Sequence, residues 1–395
     1  MTESAPTTEK SEKPGVLLGN VGKPIKLSGV QLDGISAEAG RAGDSIKVWT
    51  RLALTSDDRF FHRVAESLSG HIEFMARQSG QAVSLKNAGY ILLVVHPDDT
   101  AELWVDATAV ALRIMPKRDM VAGSVLFNND IADVTGMSFP RVDIGEKDRI
   151  VCIFREGWRF GLFFDANPDG QLGIAEMQRD LGTLYRRLAH RDLYDAIADQ
   201  ATFSRLLAAG WFPFVEILGA EFQTLANSCE AGFDLNDEEV QLLAKFDAER
   251  LERMFKRWVS RPHFAGKEPL LRSAVKSFTN DDAVPVLKIV LTEIEGILNE
   301  AYRKVRGQSA KLKTLLAFAV SSAEAKAGRP DTLLFPTAFA EYLQQYTFAN
   351  FDPSTSSGSA GSRHAVGHGH AAAETYTMVR ALQAILTLDQ LAFYT

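Results

Sequence analysis

The chain has 395 residues, of which 46% are hydrophobic and 24% charged, with a formal net charge of −7 and a pI near 5.7. This is the usage of an ordinary globular protein, and a single core rarely grows past roughly 250–300 residues, so two or three domains are expected. The acidic balance argues against broad, salt-driven binding of duplex DNA, which needs many basic contacts, while leaving room for a small local site for RNA.

The N-terminus, Met1 to Pro14, carries Thr, Ser, Glu and Lys without an apolar run, so no secretory leader is expected. No uninterrupted apolar window of about 18 residues predicts a membrane span. Cys152 and Cys229 lie far apart and form no CxxC pair. They read as two buried thiols in a reducing, cytoplasmic setting.

In chain order, residues 1–23 are polar and read as a flexible N-terminus. Strand-like runs follow at Ile25–Leu32 and Ile46–Leu54. Phe61, Val64, Leu68, Ile72 and Met75 recur on a helical period and predict a helix over Phe60–Ser79. Tyr90–Val95 and Ala101–Val105, separated by His96-Pro97-Asp98-Asp99, predict a hairpin. Further strands are expected at Ser124–Phe127 and Arg149–Phe154, and the aromatic run Arg155–Phe164 reads as a strand or hairpin packing its rings on a core. Residues 24–170 are therefore expected to form an α+β domain, mostly antiparallel.

After Gly170 the period becomes helical. Helices are predicted over Ile174–Leu188, Tyr194–Ala208, Phe214–Ser228, Glu238–Trp258, Leu270–Phe278, Val284–Val305, Lys311–Ser321, Pro336–Tyr346 and Glu374–Tyr394. Leu382, Ile385, Leu386 and Leu388 form a buried stripe on the last of these. Pro353–Ser362 is a flexible loop by composition. Residues 171–281 are expected to be a helical connector, either leading into or continuous with the helical domain expected at residues 282–395. Trp211-Phe212-Pro213-Phe214 reads as core or interface, not as a base-stacking platform.

The densest candidate chemistry is Arg363-His364-Ala365-Val366-Gly367-His368, where the Ser/Gly loop leads towards the final helix. A helix N-terminus favours phosphate. Arg363 supplies a planar cation for phosphate oxygens, and His364 and His368 are of the one side-chain type that exchanges protons readily near neutrality. On a helix, residues four apart share a face. Such a set suits RNA cleavage: a base takes the ribose 2′-OH proton, the oxygen attacks phosphorus, a cation stabilises the phosphoryl oxygens and an acid protonates the leaving 5′-oxygen. DNA, lacking the 2′-OH, is spared. Inert helix capping is the bland alternative. A zinc site from His364, His368 and His370 is another, although only Glu374 lies near them as a further ligand.

Arg363-His364-x-x-x-His368 resembles the R-(polar)-x3-H motif of HEPN domains, small helical domains found in prokaryotic toxins and RNA-cleaving defence effectors. The upstream helix with Leu291-Thr-Glu-Ile-Glu295-Gly-Ile297 and the Ala- and Leu-rich terminal helix are similar to the family pattern as well. The likeness spans about residues 282–395 and departs at His364, where the family commonly has Asn or Asp. It implies a HEPN-like helical bundle, homodimerisation, and metal-independent endoribonuclease activity without a cofactor. Arg363 and His368 would then be catalytic and His364 would assist. It also implies the alternative of a non-catalytic relative that binds RNA or serves as a dimerisation scaffold.

Asp165-Ala-Asn167-Pro-Asp169-Gly170-x5-Glu176 matches an EF-hand calcium loop at each specified position. The run before it reads as a strand where an EF-hand needs a helix, Pro168 sits inside it, and no partner loop follows. A turn leading into a helix is the favoured reading.

Overall fold

A computed structural model describes residues 20, 22–32, 36–349 and 362–395. The expected flexible segments, most of residues 1–23 and 353–361, lie outside the described residues. The strands are β1 (Ile25–Leu27), β2 (Ser36–Ala37), β3 (Val48–Trp49), β4 (Arg51–Thr55), β5 (Tyr90–Val95), β6 (Ala101–Val105), β7 (Ala111–Pro116), β8 (Ile131–Ser138), β9 (Arg149–Glu156) and β10 (Arg159–Asp165). The α-helices are α1 (Phe61–Gln78), α2 (Ile174–Ala189), α3 (Arg191–Ala198), α4 (Gln200–Ala208), α5 (Ala220–Ala231), α6 (Asn236–Leu243), α7 (Ala248–Val259), α8 (Pro262–Ala265), α9 (Glu268–Thr279), α10 (Ala283–Arg306), α11 (Leu312–Ala327), α12 (Pro336–Tyr342), α13 (Arg363–Gly367) and α14 (Met378–Tyr394). The fold is thus mixed, with an antiparallel sheet in the N-terminal half and helices in the C-terminal half. None of the described helices is long and apolar enough to cross a membrane.

Two compact units result. The first takes in residues up to Ala111, Asp119–Asp130 and Met137–Gln178. The second takes in Leu112–Arg118, Ile131–Gly136 and Arg179–Thr395. In the first, six strands pair antiparallel in the order β1-β6-β5-β9-β10-β4. The period of two sets one cross-strand row, Ile25–Leu103–Leu93–Val151–Phe164–Leu52, on the face that meets α1. Phe61, Val64, Leu68, Ile72 and Ala76 form the buried stripe of that helix, each large side chain contributing about 1.5–3 kcal/mol by leaving water. The alternate row, Trp104–Leu92–Cys152–Phe163, is buried too.

The second unit is built around α14, which is buried on every side from Ala381 to Tyr394. Its polar residues are bonded internally. Gln390 donates to Leu334 O at 3.1 Å and accepts from Val215 N at 2.8 Å, and Asp389 accepts from Trp258 Nε1 at 2.7 Å. Trp211, Phe212 and Phe214 are fully buried, and Phe212 packs at 5.2 Å from the Phe339 ring, which makes this run core as its sequence implied. The strands β7 and β8 form a two-stranded ribbon fastened to α2 by Arg186, which donates to Val134 O at 2.7 Å and pairs with Asp133 at 3.3 Å. Gly136 and Gly182 let α2 lie against β8, since a Cβ on Gly182 would come within 2.4 Å of Gly136 Cα.

Several expectations change. The apolar core of the second unit draws on residues from both 171–281 and 282–395, from Leu193 to Tyr394, because a helix buried all round needs neighbours from both regions. The strand expected at Ser124–Phe127 is instead an exposed loop between β7 and β8. The helices expected over Tyr194–Ala208 and Glu238–Trp258 are each broken in two, at Asp199 and before Asp247, which cap α4 and α7. Both cysteines are free and buried, as expected.

Candidate active site

Ser362 begins α13, its Oγ donating to Ala349 O at 3.0 Å and accepting from Ala365 N at 3.5 Å. Ala365 and Val366 are buried and anchor the turn. Gly369 then takes φ +72°, and His370 N returns to Ala365 O at 2.8 Å, which ends the helix after five residues. The motif therefore does not open the final helix. That helix begins at Met378 with its own cap, Thr377, accepting from Arg380 N at 3.3 Å. The expected contribution of a long helix N-terminus to phosphate binding is corrected accordingly, because a single short turn carries little dipole.

The structure brings His364 and His368 onto one face of α13. Their imidazoles lie parallel, 7° apart in plane and 6.5 Å between centroids. His364 is half-buried, and His368 is exposed. Arg363 meets α10, where Nη2 lies 2.8 Å from Glu295 Oε2, with both side chains about one-third exposed. The Arg363 Nε is buried with no hydrogen-bond acceptor among the described residues. Glu295 stood in the motif-bearing stretch of α10, but its pairing with Arg363 joins two distant segments and has no local sequence signal.

His370 follows the turn and is exposed. Among the described residues no three His, Cys, Asp or Glu side chains are grouped so as to hold a metal, so the arrangement gives no support to a zinc site of His364, His368 and His370.

The calcium-like loop is held in another way. It is entered from β10 and not from a helix. Asn167, at φ +46°, spends its side-chain amide on Glu146 O and Asp148 O, both at 2.9 Å, and its backbone N donates to Asp165 Oδ1 at 2.8 Å. Gly170 turns at φ +64°. Arg51 of β4 sets its Nε 3.4 Å from Asp165 Oδ2 and its Nη1 3.7 Å from Glu176 Oε2. A guanidinium thus stands between two of the four carbonyl and carboxylate donors that the motif would give calcium, and Asp169 lies exposed at the turn.

No family model, curated protein or solved structure matches the chain. The local geometry is therefore what remains to support a function.

Proposed function

We propose that the chain is a metal-independent endoribonuclease of HEPN type, a cytoplasmic toxin or defence effector working as a homodimer through its helical region. The observation that carries this reading is the parallel pair His364 and His368 on one short, capped turn, beside an arginine that Glu295 holds in place. A base takes the 2′-OH proton, the 2′-oxygen bonds to phosphorus, and the P–O5′ bond breaks as an acid delivers a proton to the 5′-oxygen. The products are a 2′,3′-cyclic phosphate and a free 5′-hydroxyl. His368, the more exposed of the pair, is assigned the general acid or base role, His364 positions or assists, and Arg363 stabilises the phosphoryl oxygens.

The test is incubation of the full chain with a mixed-sequence RNA in EDTA, with the fragment ends identified by mass spectrometry. Fragments ending in cyclic phosphate, lost in His368→Ala while circular dichroism is unchanged, support the reading. Equal cutting by variant and wild type discards it.

The pairing of Arg363 with Glu295 favours a second reading, a non-catalytic RNA-binding or dimerisation scaffold, because a carboxylate 2.8 Å away offsets the charge that a phosphate would need. A dimeric chain that leaves RNA uncut at all concentrations tested selects it.

A further inference from the structure

A separate cleft of about 340 Å³ opens in the helical unit between the end of α4, the α5–α6 turn and the start of α14. Arg205 and Arg380 reach it from two helices. The Arg380 Nη1 is fixed by Ala209 O and Gln383 Oε1, each at 2.8 Å, and by the Tyr346 hydroxyl. Its Nη2 and Nε have no hydrogen-bond partner among the described residues, and the Arg205 fork has only a long 3.4 Å contact from Nε to Ala201 O. Neither guanidinium forms an ion pair among the described residues. The carboxylates present each have one oxygen engaged: Glu239 Oε1 accepts from Trp211 Nε1 at 2.7 Å, and Asp234 Oδ1 accepts from Asn236 N at 3.1 Å. Phe233 lines the same cleft and is 70% exposed.

A fixed guanidinium on Arg380 and an exposed one on Arg205, both with open donors, are a recognition set for phosphate or carboxylate oxygens. An exposed aromatic face beside them suits a flat ring. Asp234, Asn236 and Glu239 add acceptors for amino or hydroxyl groups. The two carboxylates bring the local charge close to zero, which disfavours a polyphosphate and favours a single anionic group. The volume falls at the small end of ligand sites, which run from about 300 to 1,000 Å³. We propose that this cleft binds a small ligand bearing one phosphate or carboxylate on a flat, amino-bearing ring, of which a nucleoside monophosphate is representative. Arg205 and Arg380 take the anion, and Phe233 takes the ring.

Calorimetric titration of the full chain with adenosine monophosphate, adenosine and inorganic phosphate tests this without reference to RNA cleavage. The monophosphate is expected to bind with Kd below about 1 mM, and each fragment about tenfold more weakly or worse. Arg205→Ala, at an exposed position, is expected to weaken it about tenfold. Phe233→Ala is expected to weaken the monophosphate and leave phosphate unchanged. A second readout needs no variant: the monophosphate should slow peptide-mapped alkylation of Cys229, which lines the cleft, and leave that of Cys152 unchanged. Absence of monophosphate binding in the wild type, or equal binding by Arg205→Ala, overturns the site. Phosphate binding as tightly as the monophosphate overturns the ring contact.

Discussion

The guanidinium of Arg363 and the carboxylate of Glu295 join α13 to α10 at 2.8 Å, and this contact sets the orientation of the only arginine in the candidate motif. With RNA bound, a positioning role and a quenching role differ in sign. Under the nuclease reading the carboxylate holds the fork while its remaining N–H groups meet phosphate. Glu295→Ala is then expected to slow single-turnover cleavage about tenfold, about 1.4 kcal/mol of transition-state stabilisation, with Glu295→Gln in between. The melting temperature should hardly move, because a partly exposed pair contributes about 0–1 kcal/mol. Faster cleavage, or tighter RNA binding without cleavage, in Glu295→Ala would show that the carboxylate quenches the cation.

Much of the sheet was legible because its signals are local. The runs Tyr90–Val95 and Ala101–Val105 alternate between two buried faces and coincide with β5 and β6. The α1 stripe likewise follows from its period. Breaks made by one capping side chain were not legible within an apolar period: Asp247 accepts from Arg250 N at 2.8 Å, and Asp199 from Ala201 N at 3.0 Å and Thr202 Oγ1 at 2.8 Å. The stripe expected on α14 understated its burial, since Gln383, Asp389 and Gln390 resemble a solvent face until their partners from distant segments are known. The same holds for the candidate site. The spacing of His364 and His368 put them on one face, but Gly369 ends their helix early, and Glu295 reaches Arg363 only through tertiary packing.

The calcium-like loop yields a prediction of no response. Arg51 already faces Asp165 and Glu176, and the Asn167 amide is turned to backbone carbonyls. Calcium at millimolar concentration should leave the melting temperature of the full chain unchanged, whereas a bound ion would raise it in proportion to the logarithm of its concentration. A rise of more than about 3 °C, saturable and removed by chelation, would restore the loop as a calcium site.

Acid should weaken the helical unit through His263. This imidazole is buried beside Thr395, its Nε2 being 2.6 Å from Oγ1. Burial, reinforced by Lys304, Lys326 and Arg261, pushes it down to about 4. A base whose folded value is depressed favours folding while neutral. Its contribution is complete above the unfolded value of about 6.5 and is lost as the pH falls towards 4, at most about 3 kcal/mol. His190, pushed down to about 4 by burial and by Lys117 and Arg186, acts in the same direction. Unfolding of His263→Gln should therefore lose less stability between pH 7 and 4.5 than the wild type. Parallel pH profiles would remove His263 from the account.

The most damaging single change in the helical unit is expected at Asp389. Its carboxylate receives Arg257 Nη2 at 2.7 and 2.8 Å and Trp258 Nε1 at 2.7 Å, in the middle of a helix with no access to water. Arg257 also reaches Glu216 Oε2 at 2.8 Å, and Glu216 in turn pairs with Arg250 at 3.0 Å. Asp389→Ala leaves a buried guanidinium with one carboxylate partner and orphans the indole N–H, which should cost about 3–5 kcal/mol in chemical denaturation. Removing both charges in Asp389→Leu with Arg257→Met should cost less than Asp389→Ala alone, since no ion is then left unpaired. For contrast, Glu252→Ala, which breaks the exposed pair with Arg272, should change stability by less than about 1 kcal/mol. If Asp389→Ala proves as mild as that surface control, water must reach the α14 carboxylate, and the picture of this helix as sealed on all sides has to be given up.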